Sequence, residues 1–481
     1  MIATVPSEWA ATISGVAPVV SGLDADHQAA LSRLTAKIAT RRARNRLRRR
    51  YYDYEQGLKD LQISLPPDMA VTTVLGWPAK AVNSMVRRTV LDTWTLPEGT
   101  SSADIGLDAI IEDNRLDSEL PSALTSSLLH GVAFGFATAG GVGEAPAILS
   151  FKSAEWASGT WDPRRRQLSE ALSIVATDLM GTPTQMALYL PGLVIDLHRD
   201  GDRWELFQFE HDLGIPVEPI PYRVALDRPF GSSRISRPVM ELTDAAVRTF
   251  VRTEVAAEFY NAPQRYALGA GEKAFKDPVT GEPLTGWQVI LGHLLTLDRD
   301  ADGNLPTVGE FTQQSMEPNA AHFRMIAQAF AAETSLPLRS LGVVGDNPES
   351  ADAIAEANKE LELEIRHWQK SCLTPVLRRL MTSALRIIDD TPAARDVYRR
   401  MAPHWQRPDT VSLAAATDAV VKLDTVAPGF GQSEVGLEMA GLEPDQIARF
   451  RVEQARLRGQ ATIEALIASN PPAAIDGAVE G

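Results

Sequence analysis

The feature that most constrains the fold is a long amphipathic helix in the second half of the chain. Asn347 and Pro348 cap a helix that begins with Glu349, and apolar residues then keep to one face as far as Leu380. About 40 residues at about 1.5 Å each give a helix about 60 Å long, with a kink expected at Pro375. Such a helix is too long to sit inside one small domain.

Two shorter helices and an insert precede the long helix. The segment 230–238 offers capping serines and a proline, and it starts a helix that runs to about Asn261. A second helix follows Ser315 and stops before Pro337, and the insert between the two helices is punctuated by Gly and Pro. A loop that contains glycine, 341–348, then leads into the long helix. The predicted order is helix, insert, helix, loop and long helix.

A β-rich segment lies inside this mainly helical chain. From about 147 to 222 the apolar residues alternate with a period of two, which predicts a series of short strands. Asp200-Gly201 is a hairpin signal between two of these strands, and Asp162-Pro163 marks another turn. The sequence therefore predicts an α+β fold that is predominantly α-helical.

An arginine-rich helix is predicted near the N-terminus, after a loose arm. Helix signals begin at Asp24 and Asp26, and the prolines Pro66 and Pro67 stop the pattern. Seven arginines fall within it: Arg41, Arg42, Arg44, Arg46, Arg48, Arg49 and Arg50. Three interpretations stay open, which are contact with a sister subunit, a solvated or salt-bridged face, and contact with nucleic-acid phosphates.

Composition excludes several classes of protein. The chain has 481 residues and is 44% hydrophobic, which is enough apolar material for a sizeable core and excludes disorder throughout. Its formal net charge of −15 excludes a uniform basic coat for gripping DNA. The single cysteine, Cys372, excludes an intrachain disulfide and a cysteine-based zinc cluster. No membrane span and no secretory signal are visible, so we expect a protein made in a reducing cytoplasm.

The known sequence signatures of catalysis are missing. There is no phosphate-binding loop, no zinc-protease helix motif and no nucleophile elbow. We therefore expect no catalytic residue and no cofactor. Asp298, Asp300 and Asp302 imitate the start of a calcium-binding loop, but its twelfth position is Gly309 where a glutamate is needed. We expect an acidic surface turn and no metal, with weak calcium binding as the alternative.

Four acidic residues follow one another along the long helix at a spacing of four: Asp352, Glu356, Glu360 and Glu364. Like charges at this spacing destabilise an isolated helix by about 0.2–0.5 kcal/mol per pair. One interpretation is a solvated face. The other is a surface that repels a polyanion.

Six segments of the chain follow one another in a specific order: 44–52, 76–83, Phe230-Gly231-Ser232-Ser233-Arg234-Ile235-Ser236, 258–266, 340–343 and 346–354. Together they resemble the portal proteins of long-tailed, siphovirus-type bacteriophages, and the resemblance covers about residues 25–465.

The resemblance implies a portal-type fold with wing, stem, clip and crown. Its implied parts are an N-terminal arm (1–23), a wing (24–232, β-rich at 147–222), a stem helix (233–262), a clip (263–314), a second stem helix (315–335), a tunnel loop (336–350), the long helix and wing return (351–408), a crown (409–465) and a flexible tail (466–481).

The resemblance also implies a function, which is a ring of usually twelve subunits at one capsid vertex of the virion, assembled in the host cytoplasm. Terminase, acting with its large subunit, would package double-stranded DNA through the channel of the ring, and the DNA would later be ejected through the same channel. A head-to-tail adaptor, the major capsid protein and a scaffold would be the other partners, and no membrane is implied. The tunnel-loop residues facing DNA would be Val344, Gly345, Asp346 and Asn347.

The acidic row would then face the channel and the seven arginines would contact a neighbouring subunit. A duplex presents one negative charge per about 1.7 Å. A channel lined with basic residues would therefore bind the DNA and stop its movement, whereas an acidic ring would let it slide. The alternative function is a monomeric or dimeric enzyme that processes nucleic acid and uses the arginine-rich helix.

Overall fold

The computed structural model describes residues 17–56, 73–179, 181–201, 203–261, 265–269, 282, 303–310, 315–343, 350–409, 413–442 and 444–469. The chain divides into two compact units, Met1–Pro408 and Asp409–Gly481. Within the described ranges, no helix has both the length and the apolar character needed to cross a membrane.

The helices of the first unit, in chain order, are α1 (Ala25–Tyr52), α2 (Trp77–Val86), α3 (Leu107–Asp113), α4 (Leu116–His130), α5 (Arg237–Asn261), α6 (Glu317–Thr334), α7 (Ala351–Trp368), α8 (Thr374–Ile388) and α9 (Pro392–Arg400). Those of the second unit are α10 (Leu413–Val426), α11 (Glu434–Met439) and α12 (Pro444–Ser469).

The strands are β1 (Leu91–Thr95), β2 (Val132–Ala139), β3 (Ala147–Ser153), β4 (Ala157–Asp162), β5 (Gln167–Thr177), β6 (Pro183–Leu190), β7 (Leu193–Asp200), β8 (Arg203–Glu210), β9 (Val217–Pro221), β10 (Arg265–Leu268), β11 (Thr307–Glu310) and β12 (Ala402–Trp405). They form a five-stranded sheet in the order β4-β5-β6-β7-β8, a three-stranded sheet in the order β3-β2-β9, and the two-stranded pairs β1-β12 and β10-β11. The mixed α+β fold class is confirmed.

The five-stranded sheet takes its strands from the segment 147–222, where the period of two predicted a β-rich meander. The first and last strands of that segment, β3 and β9, instead pair with β2, which lies before it. Within the five-stranded sheet each strand pairs antiparallel with the next, and the hairpin expected at Asp200-Gly201 joins β7 to β8 with Asp200 opposite Arg203. Leu31 and Leu34 of α1 are buried in the apolar cluster that covers one face of the sheet. On the other face, Tyr189 packs its ring 5.0 Å from Phe136 of the three-stranded sheet. Apolar contacts on both faces bury the central strands β5 and β6, whereas the edge strand β8 stays largely exposed.

The main core of the first unit forms where α4 and α8 pack against the three-stranded sheet. Leu124, Leu128 and Leu380 are buried there. Gly135 of β2 permits the close approach of α8, because a Cβ at that position would lie 2.6 Å from the Leu380 side chain.

The long helix differs from its prediction at its N-terminus and at the expected kink. It begins at Ala351, two residues later than predicted, and its N-cap is Ser350, whose hydroxyl accepts a hydrogen bond from the Ala353 amide at 3.2 Å. At the expected kink, a π-helical turn (Gln369–Leu373) separates α7 from α8. Pro375 follows directly. Because proline has no N–H and its ring clashes with the carbonyl four residues back, the wider turn accommodates it.

The arginine-rich helix α1 is also shorter than predicted. It ends at Tyr52 rather than continuing to Pro66 and Pro67, which lie outside the described residues. The chain turns at Tyr54, whose φ of 62° is left-handed and cannot continue a helix.

The helices α5 and α6 form an antiparallel pair. The hydroxyl of Ser236 donates to Glu333 at 3.1 Å at one end. The rings of Phe250 and Phe323 lie 5.9 Å apart further along the pair. Beyond the helices, β10 pairs antiparallel with β11, so that Arg265 is opposite Glu310. The insert between the helices is therefore closed at its base by a two-stranded ladder.

The second unit is a small helical cluster, as the pattern over about 410–465 indicated. A break falls at Gly429, whose φ of 90° ends the turn that follows α10. Ile447 of α12 is buried, whereas Val452, Leu457 and Ile463 of the same helix are exposed. An ion pair joins Arg451 to Glu434 at 3.4 Å.

Candidate functional site

A buried arginine, Arg234, lies where the first unit's helices meet its β-rich part. It sits in the segment just before α5, and its amide donates to the Leu128 carbonyl at 2.8 Å. Gly231 allows the chain to fold back at this point, because its φ is +65° and a Cβ there would lie 2.0 Å from the Tyr222 carbonyl oxygen. The tight backbone therefore aims the Arg234 side chain inward, where it is only 2% exposed.

The guanidinium of Arg234 donates in four directions. Its Nε donates to the Ala81 carbonyl at 2.9 Å, and its Nη2 donates to the Thr334 carbonyl at 2.5 Å. Its Nη1 donates to the Tyr222 hydroxyl at 2.7 Å and to Glu364 Oε2 at 2.9 Å. These partners belong to α2, α6, the segment after β9, and α7. The rigid fork of donors suits a junction of this kind better than a lysine would.

Glu364 is the anionic partner of this junction. Its Oε1 accepts from the Tyr222 hydroxyl at 2.5 Å and from Arg223 Nη2 at 2.9 Å. Burial alone would raise the pKa of Glu364, but Arg234, the hydrogen bonds from Tyr222 and Arg234, and Arg223 together hold that pKa below its ordinary value. Burial is also the main reason that the pKa of Tyr222 rises to about 12. We call Tyr222, Arg223, Arg234 and Glu364 the Arg234 cluster.

The Arg234 cluster holds elements of the first unit together. It ties the segment before α5 and the end of α6 to the C-terminal half of α7, so these elements cannot separate without exposing or stranding a charge. Removing one partner of a buried ion pair typically costs about 3–5 kcal/mol. Over the described ranges, no three His, Cys, Asp or Glu side chains are placed to hold a metal ion.

The predicted acidic row is divided by the structure. The side chains of Glu356 and Glu360 are exposed, and Glu356 lies 3.3 Å from Lys359. Asp352 lies in the first turn of α7, and its side chain is outside the described set. Glu364 does not belong to the row as an exposed charge, because its side chain is 19% exposed and is neutralised by Arg223 and Arg234.

The geometry of a helix explains this correction. Four residues advance about 40° beyond a full turn, so a row spaced by four drifts around the helix by about 120° over three steps. Glu364 is thereby carried from the solvent side of α7 to its buried side.

The arginine-rich helix makes contacts within its own chain. Arg41 lies over the Phe230 ring at 5.9 Å, Arg48 donates to the His130 carbonyl at 3.2 Å, and Arg49 donates to Glu155 at 2.9 Å. Arg42 and Arg46 are half-buried, and Arg44 and Arg50 are exposed. Three of the seven arginines thus help to hold α1 in place. Contact with a sister subunit remains a prediction for the exposed ones.

Two further predictions fall outside the described residues. The tunnel-loop residues Val344, Gly345, Asp346 and Asn347 are among them, and so are the aspartates Asp298, Asp300 and Asp302 of the acidic turn. The described chain before the loop ends in a short 3₁₀ turn (Leu338–Leu341) and Gly342, whose φ is 81°.

The comparisons with known proteins agree with one another. The family described as "Phage portal protein, SPP1 Gp6-like" matches residues 31–456. A "Portal protein" of Mycobacterium phage L5 is 29% identical over 417 residues, which are 84% of this chain and 83% of the relative. A "Portal protein" of Mycobacterium phage D29 is 28% identical over 401 residues, 81% and 80% of the two chains.

Solved structures with a similar chain come from gene transfer agent particles. The neck of the empty particle, computed with C6 symmetry, gives a TM-score of 0.39 at 15% identity, over 76% of this chain and 90% of the other. The neck of the native particle, computed with C12 symmetry, gives a TM-score of 0.38 at 16% identity, again over 76% of this chain and 90% of the other.

Proposed function

Because the chain belongs to the SPP1 Gp6-like family of phage portal proteins, we propose that twelve copies form a ring at one capsid vertex and that double-stranded DNA passes through its centre. Members of this family are structural proteins and not enzymes, so the alternative of a nucleic-acid-processing enzyme is set aside. Terminase, through its large subunit, would package the genome through the ring, and the same channel would release it.

The observation that carries the proposal is the family match over 31–456, which spans both helical units and the β-rich part. The antiparallel pair of α5 and α6 supports it, since a paired stem with an insert at its tip can project from a ring. The insert within 263–314, closed by β10 and β11, would be the clip where terminase and the head-to-tail adaptor dock. The β-rich part would lie in the wing, facing the major capsid protein and scaffold, and the second unit would be the crown.

The negative charge of the chain supports a channel through which DNA slides rather than a surface that binds it tightly. The chain carries −15, and Glu356 and Glu360 are exposed on α7. We place these two carboxylates, with Asp352, on the channel face, where they would weaken the counterion-release binding that holds DNA on basic surfaces.

The tunnel loop adds a narrower proposal. Val344, Gly345, Asp346 and Asn347 would touch the passing duplex. Replacing Asp346 and Asn347 by lysine should leave the ring intact and reduce the yield of packaged DNA, measured as nuclease-protected genome per particle. Unchanged yield would remove the loop from the mechanism.

Native mass spectrometry of the purified chain, with negative-stain images of the same sample, tests the ring. We expect a species of about twelve times 52.3 kDa with a central hole. A stable monomer at micromolar concentration and across salt conditions would contradict the proposal.

A further inference from the structure

A groove of about 960 Å³ opens on the surface next to the Arg234 cluster. Three segments surround it: the turn between β4 and β5, the chain that follows β9, and the π-helical turn before Pro375. All three belong to the first unit of one chain. We call it the Pro375 groove.

The walls of the Pro375 groove are apolar. Trp161, Pro229 and Pro375 are half-buried on three sides of it. Leu226 stands at the tip of the chain that follows β9 and is fully exposed, at 107%. A backbone hydrogen bond of 2.9 Å from Arg228 to Ala225 holds this tip in a tight turn. A fully exposed leucine on an anchored turn, beside an apolar wall, is typical of a surface that another chain covers.

The rim of the groove carries positive charge. Arg166, Arg223 and Arg379 line it with exposed side chains, although the chain as a whole is acidic. Two glutamates lie near them, and both are already engaged. Glu364 pairs with Arg223 and Arg234, and Glu218 pairs with Arg379 at 2.8 Å. Arg166 adds a further positive charge from the β4–β5 turn.

The β4–β5 turn fixes where Arg166 lies. The Asp162 carboxylate accepts from the amides of Arg164 and Arg165, at 2.8 and 3.1 Å, and Arg166 adopts a φ of 55°. Arg166 thereby lines the groove, whereas Arg165 is exposed in the same turn and does not line it. The turn offers a matched pair of arginines, one at the groove and one beside it.

We propose that the Pro375 groove binds a polypeptide segment from a different protein, one in which carboxylates flank apolar side chains. Arginine and tryptophan are the side chains that dominate protein interfaces, and opposite charge across the contact would select an acidic segment. A nucleic acid would satisfy the arginines but would leave the Leu226 wall without an apolar partner. A concave space of this size accepts the side chains of a short segment. The proposal goes beyond the ring and does not depend on it, since one chain supplies every lining residue.

Fluorescence anisotropy with the purified full chain tests the proposal. The probe is a short fluorescein-labelled peptide of Glu, Leu and Ser, and its control peptide has each Glu replaced by Lys. We expect the acidic peptide to bind and the lysine peptide not to bind. Arg166→Glu should weaken binding about tenfold or more, because it reverses a charge at the contact. Arg165→Glu makes the same change in the same turn and should leave the affinity within about twofold.

Leu226→Ser probes the apolar half of the site without changing charge, and it should also weaken the acidic peptide. Both groove positions are exposed, so the variants are expected to keep the wild-type melting temperature. Equal loss with Arg165→Glu and Arg166→Glu would mean nonspecific attraction and overturn the proposal. Absence of binding by the acidic peptide would also overturn it. If instead Leu226→Ser changes the oligomer mass seen by native mass spectrometry, a second copy occupies the groove and the proposed partner is wrong.

Discussion

Two carboxylates near the long helix are each held by two arginines, but in different surroundings. Glu364, in α7, pairs with Arg223 and with Arg234, which is almost wholly buried. Asp390, just after α8, pairs with Arg386 at 2.6 Å and with Arg395, and all three side chains are at least 20% exposed. The hydrogen bonds are similar in number. We therefore expect burial, rather than the number of bonds, to decide what losing a partner costs.

The two carboxylates also differ in what they connect. Arg386, Asp390 and Arg395 are near neighbours in sequence, so their ion pairs fasten the end of α8 to the start of α9, and Arg386 alone reaches further, to the Asp212 carbonyl at 3.1 Å. The Arg234 cluster joins residues more than 100 positions apart, such as Arg234 and Glu364. Substitutions in the Arg234 cluster should therefore destabilise the whole first unit, whereas substitutions around Asp390 should affect stability only locally.

The largest expected effect is that of Arg234→Met. Glu364 would keep Arg223 and the Tyr222 hydroxyl but lose its buried cation, and the carbonyls of Ala81 and Thr334 would lose their donor. The free energy of unfolding should therefore fall by about 3–5 kcal/mol. Chemical denaturation followed by circular dichroism measures it. The matched control, Arg395→Met, should cost much less because its pair is exposed to solvent. Equal losses would remove the distinction between the two places.

A second test uses pH. The pKa of Glu364 is lowered in the folded state, so its contribution to stability is present above the unfolded value and is lost as pH falls through the folded value. Glu364→Gln should cost about 2–3 kcal/mol at neutral pH, and the loss should shrink at acidic pH. Denaturation midpoints from pH 7 down to pH 3 provide the measurement. A loss independent of pH would show that the charge of Glu364 is not what stabilises the cluster.

Tyr222→Phe should have an intermediate effect. The change removes the hydroxyl that bridges Arg234 and Glu364 but keeps both charges, so we expect a loss of about 1–2 kcal/mol. Tyr52→Phe is the control, because its hydroxyl bonds a neutral amide of Asn83 at 2.9 Å and is half-buried. It should cost less in the same denaturation assay, and a larger loss for the control would contradict the importance given to Tyr222.

The smallest effect on stability is expected from the exposed acidic pair. Replacing Glu356 and Glu360 by Gln relieves the repulsion between them but also removes the ion pair of Glu356 with Lys359, so stability should change by at most about 0.2–0.5 kcal/mol. If the pair faces the channel, the same double variant should slow packaging, measured as protected DNA per particle over time. Replacing the exposed Glu98 and Glu112 by Gln makes an equal charge change elsewhere. Equal packaging by both variants would place the acidic pair away from the channel.

Local sequence signals predicted much of the fold. The alternation of apolar residues with a period of two predicted the antiparallel strands, and the hairpin expected at Asp200-Gly201 is present. Boundaries were less accurate, because they depend on single dihedral angles such as those of Ser350 and Tyr54. The resemblance drew attention to the segment that contains Arg234, but it assigned no role to the residue. An arginine between a serine and an isoleucine carries no mark of burial.

The sequence by itself determined the order of helices and strands, the acidic balance and the family, because apolar periodicity, charge and ordered motifs are properties of the chain read along its length. Only the tertiary structure decided that Glu364 is buried against Arg234 instead of being exposed with the other acidic residues. It also decided that Arg48 and Arg49 hold α1 to its own chain, and that Arg166 borders an apolar groove. These outcomes depend on which distant residues meet and how much water is excluded where they meet, and neither can be read from spacing along one helix.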